Sequence, residues 1–272
     1  MYPILFEFGP FTISSFGVMM VMAFLLGNYL LRKDVVAEGF DPIIAEEITF
    51  RAAIGGILGA KIYYLIENIP SGHAADNISG LVNIIAGIFT LNGEKIAYGL
   101  QNFGAGLVFL GGLVGGLLTV SWYFYRNNLN WYKMADLVAP FLVLGHGIGR
   151  IGCFLVGDDY GVPSNLPWAC TFPNGLPPTT IPVHPTQLYE MSAYFIIFFY
   201  LRYRKQIQNF SGEIIFEYLF LAGFARFMVE FIRTNTKYIF DLSGAQYISI
   251  LMMAIGTYQL WKLRKINSPS PI

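Results

Sequence analysis

Seven stretches of about 20 mostly apolar residues, with clusters of Arg and Lys at alternate ends, confine this chain to folds that put helices across a bilayer. They run over 11 to 31, 43 to 66, 104 to 125, 134 to 155, 184 to 203, 212 to 233 and 244 to 263. Hydrophobic residues make up 55% and charged residues 12% of the 272 positions, and the mean hydropathy is +0.53. That leaves too little polar surface for a soluble chain. Lipid offers backbone groups no partners, so each span must satisfy its own hydrogen bonds as a helix. The expected fold is an all-α integral membrane protein with seven transmembrane helices, forming a single polytopic domain over residues 1–272.

Basic residues set the orientation. Arg32 and Lys33, Arg126 and Lys133, Arg202, Arg204 and Lys205, then Lys262, Arg264 and Lys265 fall at alternate span ends. Those ends are cytoplasmic, which places the N-terminus outside and the C-terminus inside. The apolar stretch beginning near Pro10 has no Lys or Arg before it and no small-residue cleavage site after it. It reads as a retained first span. Two outside loops are long: 67–103, expected as an extracytoplasmic arm, and the proline-rich 156–183, expected as a cap over the membrane surface. Glycines four apart, Gly55 and Gly59 in the second span and Gly111 and Gly115 in the third, suit close helix packing.

The formal net charge is zero, with no basic tail, so nothing points to nucleic acid as a partner. Cys153 and Cys170 form neither a disulfide framework nor a metal-ligand spacing. No cofactor and no metal are expected.

The residues most open to a functional reading are charged ones inside spans: Arg150, Arg226 and Arg233. A charge at mid-membrane costs about 2.5–3.5 kcal/mol even on lenient scales, so such cations usually face a polar cavity. The planar fork of arginine suits a phosphate. His146 precedes Arg150 by four residues, which on a helix puts a titratable ring and a fixed cation on one face. The plain alternatives are an Arg150 tie to a helix-end carbonyl or to Asp158, and a His146 polar contact between helices. Arg226, Glu230 and Arg233 stack on one stripe, either as an ion-pair network or as an anion site with one net positive charge facing the cavity. HPTQLYE, from His184 to Glu190, opens the fifth span; Pro185 fits a first helical turn, and His184, Gln187 and Glu190 recur every three residues.

Together, GRIGCFLVGDDYG at 149–161, HPTQLYE at 184–190 and GFARFMVEFIR at 223–233 resemble the bacterial prolipoprotein diacylglyceryl transferases. The first motif resembles the family signature G-R-x-G-N-F-x-N-G-E-x-x-G. The resemblance implies transfer of a diacylglyceryl group from phosphatidylglycerol to the lipobox cysteine thiol of an exported prolipoprotein, with release of glycerol phosphate, in the bacterial cytoplasmic membrane. Arg150 and Arg226 match the family's two key arginines; Gly157, Asp158, Gly161, His184, Gln187, Tyr189, Glu190, Glu230 and Arg233 fall on other motif positions. Fixed cations suit such a reaction, since they stabilise the charge gathering on a departing phosphate.

The chain departs from the family at Phe16, where a tyrosine is usual, at Leu110, where a histidine cast as base is usual, and at Cys153 and Val156, which replace two asparagines. Asp158 replaces a glutamate. Two readings follow: the base has moved, with His146 as the candidate, or the chain is a paralogue with another acceptor or a non-catalytic anionic-lipid binder.

Overall fold

The computed structural model describes residues 2–8, 11–70, 72–104, 106 and 108–267. Contacts gather into two compact units, 1–7 with 12–40 and 130–272, and 8–11 with 41–129.

The first unit carries five helices: α1 (Ser15–Ala37), α6 (Trp131–Val156), α7 (Thr186–Gln206), α8 (Glu213–Val229) and α9 (Gly244–Asn267). Two of these, α1 and α6, are long and apolar enough to cross a membrane by length and composition. Side-chain caps fix where both begin. Ser14 accepts from the Gly17 amide at 3.0 Å, and Asn130 accepts from the Lys133 amide at 3.1 Å. Ala139 and Val143 of α6, Tyr194, Ile197 and Leu201 of α7, and Ile214, Tyr218 and Ala222 of α8 are all buried in one core. Burying a large aliphatic side chain contributes about 1.5–3 kcal/mol.

At one end of these helices lies a satisfied polar network. The Arg204 guanidinium reaches Glu213 at 2.8 Å and Glu217 at 2.9 Å. Asp136 accepts from the amides of Gly212 at 2.6 Å and Ile215 at 2.9 Å, capping α8. Arg202 and Lys205 both meet Asp34.

The second unit holds α2 (Ile43–Glu67), α3 (His73–Phe89), α4 (Gly93–Gly104) and α5 (Phe109–Arg126). Gly55 and Gly59 of α2 pack on Gly115 and Gly111 of α5 so closely that any Cβ there would strike backbone. The 67–103 region folds largely as the helical hairpin α3–α4. Buried Lys61 ties it down by donating to Asn77 Oδ1 at 2.8 Å and to the Phe103 carbonyl at 2.5 Å.

Several expectations need correcting. The described chain is not wholly α: β1 (Ile4–Phe8) pairs with β2 (Phe11–Ser14), and within the 156–183 cap β3 (Cys170–Phe172) pairs antiparallel with β4 (Thr179–Val183). The 11–31 segment therefore turns helical only at Ser15, where Ser14 supplies the cap. The 212–233 segment leaves the α-helix at Val229; Glu230–Ile232 form a 3-10 turn, and Arg233 is extended with φ −88° and ψ 157°. His184 precedes α7, so it does not share a helical face with Gln187 and Glu190.

Candidate active site

The site lies at the other end of α6, α7 and α8, where three chain segments are knitted together. Helix α6 stops at Gly157, which takes a left-handed φ of 78° and donates to the Cys153 carbonyl at 2.8 Å. The chain then turns through Asp158 and Asp159, the latter at φ 61°. Side chains at the start of α7 hold that turn: Thr186 Oγ1 donates to the Asp159 carbonyl at 2.6 Å, and Gln187 Nε2 donates to the Asp158 carbonyl. Beyond it, Gly161 lies opposite Arg233 and donates to the His184 carbonyl at 2.9 Å. A Cβ on Gly161 would come within 2.5 Å of the Ile232 carbonyl oxygen, so only glycine fits between these strands.

This scaffold brings together arginines from three segments. Glu190, fully buried on α7, takes Arg226 Nη1 on Oε1 at 2.6 Å and Arg150 Nε on Oε2 at 2.7 Å. Arg233 Nη1 stands 3.8 Å from the same Oε2. Asp159 bridges the other pair, with Oδ2 at 2.8 Å from Arg150 Nη1 and Oδ1 at 2.5 Å from Arg233 Nη2. Glu230 reaches Arg226 Nη2 at 3.0 Å and Arg233 Nε at 3.6 Å, and receives Asn235 Nδ2. The expectation of one net positive charge here is overturned. Glu190, Glu230 and Asp159 pair three carboxylates with Arg150, Arg226 and Arg233, because α7 and the turn after α6 contribute acids that the Arg226–Glu230–Arg233 stripe does not contain.

The two aspartates differ electrostatically. Burial works to raise the Asp159 carboxyl, but the guanidiniums of Arg233 and Arg150 outweigh it and hold the group below the usual carboxylate range. Burial, reinforced by the charge of Asp159, pushes the Asp158 carboxyl above that range. Among the described residues, every buried side-chain polar atom lacking a hydrogen-bond partner belongs to this cluster: Asp158 Oδ1, Gln187 Oε1, Glu190 Oε2, Glu230 Oε2, and Nε and Nη1 of Arg233. Some of these atoms touch opposite charges, yet without hydrogen-bond alignment. Such concentrated frustration is costly and is kept where a site acts on something else.

Arg150, Arg226, Glu190, Glu230 and Arg233 thus form one ion cluster, with Asp158, Gln187, Gly157 and Gly161 shaping its rim. His146 lies one turn deeper along α6, its ring 5.5 Å from that of Tyr194 and 6.3 Å from that of Tyr218. It makes no hydrogen bond or ion pair among the described residues. His184 and Tyr189 pair with each other at 3.2 Å, and Trp168 of the 156–183 loop donates to the Tyr189 hydroxyl at 2.7 Å. Asp159, Asn235 and Tyr194 are neighbours that sequence reasoning missed; the doubled acid directly after Gly157 was the available signal for Asp159.

The arrangement defines a helical protein with three arginines from separate segments knitted by carboxylates at one end of α6, α7 and α8. The family model described as "Prolipoprotein diacylglyceryl transferase" matches residues 3–262. A protein of Clostridium tetani named phosphatidylglycerol–prolipoprotein diacylglyceryl transferase is 33% identical over 260 residues, covering 95% of this chain and 96% of its own length. Proteins of the same name from Aliivibrio salmonicida and Vibrio atlanticus are 32% and 29% identical, covering 85% and 97% of this chain and 75% and 91% of their own lengths. The chain belongs to the prolipoprotein diacylglyceryl transferase family and is a mostly helical membrane protein.

Proposed function

We propose that this protein transfers a diacylglyceryl group from phosphatidylglycerol to the lipobox cysteine thiol of an exported prolipoprotein, releasing glycerol phosphate. One observation carries the residue assignment: Arg150 and Arg226, from different helices, converge on the two oxygens of a single carboxylate, Glu190. Two guanidiniums spaced to grip one carboxylate are also spaced to grip one phosphate. In this reading they hold the lipid phosphate and stabilise the negative charge that grows on it as the carbon–oxygen bond breaks. Arg233, Glu230, Glu190 and Asp159 position them. Gly157, Gly161 and Gln187 hold the turn that closes the site, His146 lies on its floor, and His184, Tyr189 and Trp168 border the cap, where an acceptor peptide would enter.

Seven spans with the N-terminus outside, read from the alternating basic clusters, put this end of the helices on the outer face of the bacterial cytoplasmic membrane. Exported acceptors would be met there. A second reading rests on Leu110, which stands in α5 where the family has a histidine: a member that binds anionic lipid without turnover.

Mass spectrometry of a lipobox peptide incubated with the purified protein and phosphatidylglycerol separates the two. The transferase reading expects a thioether adduct from the native protein and none from Arg150→Ala that is still folded. An adduct formed at an undiminished rate by Arg150→Ala would remove that residue's role. No adduct from the native protein, with lipid still bound, would favour the second reading.

A further inference from the structure

The carboxylates of the cluster do not share one condition. Glu190, Glu230 and Asp159 each contact at least two guanidiniums. Asp158 makes no ion pair among the described residues. Its carboxylate instead lies within 4.8 Å of the Cys153 sulfur, and its Oδ1 is buried with no donor. Arg150 Nη1 stands 3.6 Å from that same Cys153 sulfur. A sulfur here lies between a carboxylate able to take a proton and a fixed cation able to stabilise the anion left behind.

We propose, resting on the transferase reading above, that Asp158 is the general base that takes the proton from the acceptor thiol, with Cys153 and Arg150 lining the place where the incoming sulfur sits. The step balances as follows. The acceptor S–H proton passes to the Asp158 carboxylate, and the sulfur attacks the glycerol carbon bearing the phosphate ester. A C–S bond forms, the C–O bond breaks, and the electron pair leaves on glycerol phosphate. Protonated Asp158 then returns its proton to the released phosphate.

The other acids of the cluster are unsuited to this task. Glu190, Glu230 and Asp159 are each already engaged by two or more guanidiniums and are not free to face an incoming thiol. His146 is one helical turn deeper, among the rings of Tyr194 and Tyr218. Asp158 is placed differently: burial first, then the charge of Asp159, raise its carboxyl, against the neighbouring Cys153 thiol and the charges of Arg150 and Arg233. That brings it closer to a thiol, whose ordinary pKa is about 8.5. From α7 the side chains holding this turn are the neutral Thr186 hydroxyl on the Asp159 carbonyl and the neutral Gln187 amide on the Asp158 carbonyl, which fix the backbone from which the base projects.

The test is the pH profile of single-turnover transfer from phosphatidylglycerol in proteoliposomes to a lipobox peptide, between about pH 6 and pH 8. With its own base, the native protein should give a flat profile. Asp158→Asn should transfer about 100-fold more slowly at the acid end, then gain about tenfold per pH unit as the thiol ionises unaided. Its KM for lipid should stay unchanged. Asp158→Glu should restore the flat profile, and His146→Ala should keep it whatever its rate. A tenfold-per-unit rise in the native protein, a flat Asp158→Asn, or the slope appearing in His146→Ala would each overturn the assignment while leaving the transferase reading intact. Should Asp158→Asn fail to fold, the native and Asp158→Glu profiles still decide. No thioether from the native protein at any pH would overturn the transferase reading and this base with it.

Discussion

Helices α6, α7 and α8 carry an ion network at each end, and the two networks are built to different standards. At the Arg204 end, Glu213 and Glu217 both accept aligned hydrogen bonds from one guanidinium, and the Asp136 oxygens are taken up by amides that open α8. At the Arg150 end, opposite charges meet but six buried polar atoms find no aligned partner. The same helices and similar residue types thus make a structural tie in one place and a strained cluster in the other. Buried ions that serve stability alone are driven towards full satisfaction, because each missing hydrogen bond costs about 1–3 kcal/mol. The unsatisfied end is where the protein has something to gain from a partner it does not itself supply.

Removing a charge from each network is the sharpest way to break the comparison. Arg226→Gln should lower transfer about 1,000-fold, the loss expected for a donor acting on developing charge, read by peptide mass spectrometry. A loss under tenfold would move Arg226 out of the chemistry. Arg204→Ala should do the reverse, destabilising the fold by about 3 kcal/mol because it strands two buried carboxylates. Thermal unfolding in detergent measures this, and transfer per folded molecule should change little. If activity fell with Arg204 and stability with Arg226, the assignment of the two ends would be inverted.

Gly161→Ala sharpens the contrast by geometry instead of charge. Its Cβ must displace the strand bearing Ile232 or the turn bearing Asp159, and a shift of this kind should slow transfer about 30-fold with a smaller change in melting temperature. The smallest effect concerns acid. The Asp159 carboxyl lies below its ordinary value when folded, so its stabilising contribution is present above the unfolded-state value of 3.8 and fades as pH falls through the depressed folded value. The Asp158 carboxyl is raised, so its ionised form weighs against folding near neutrality. Asp158→Asn should accordingly melt no lower than the native protein at about pH 7, and a clear drop would show that this carboxylate is structural.

How much of this was legible in the sequence follows from what kind of signal each residue gives. Arg150 and Arg226 stood out because a cation in an apolar run has no bland surroundings to hide in. The helices read well for the same reason, although where α8 ended did not: EFIR continues the apolar pattern, while the chain leaves the α-helix after Val229 and pairs Arg233 with Gly161. The role of Glu190 was hidden behind an every-third spacing with His184 and Gln187, and that spacing lost meaning once α7 began at Thr186. The doubled acid after Gly157 hinted at Asp159, but its position between Arg150 and Arg233 depends on a left-handed turn held by α7 side chains distant in sequence. Charge balance was misjudged for the same reason. It is a property of three segments meeting, and no single stretch contains it.

Glu190 leaves a last consequence for how a lipid would enter. Its carboxylate already occupies the grip between Arg150 and Arg226, so on the function proposed above an arriving headgroup would exchange one anion for another and would not simply fill a bare cationic socket. Tight capture must then come from the greasy tails. A small polar mimic of the headgroup should compete feebly, and in this reading the spent phosphate, having lost those tails, would be evicted by the resident acid that it displaced.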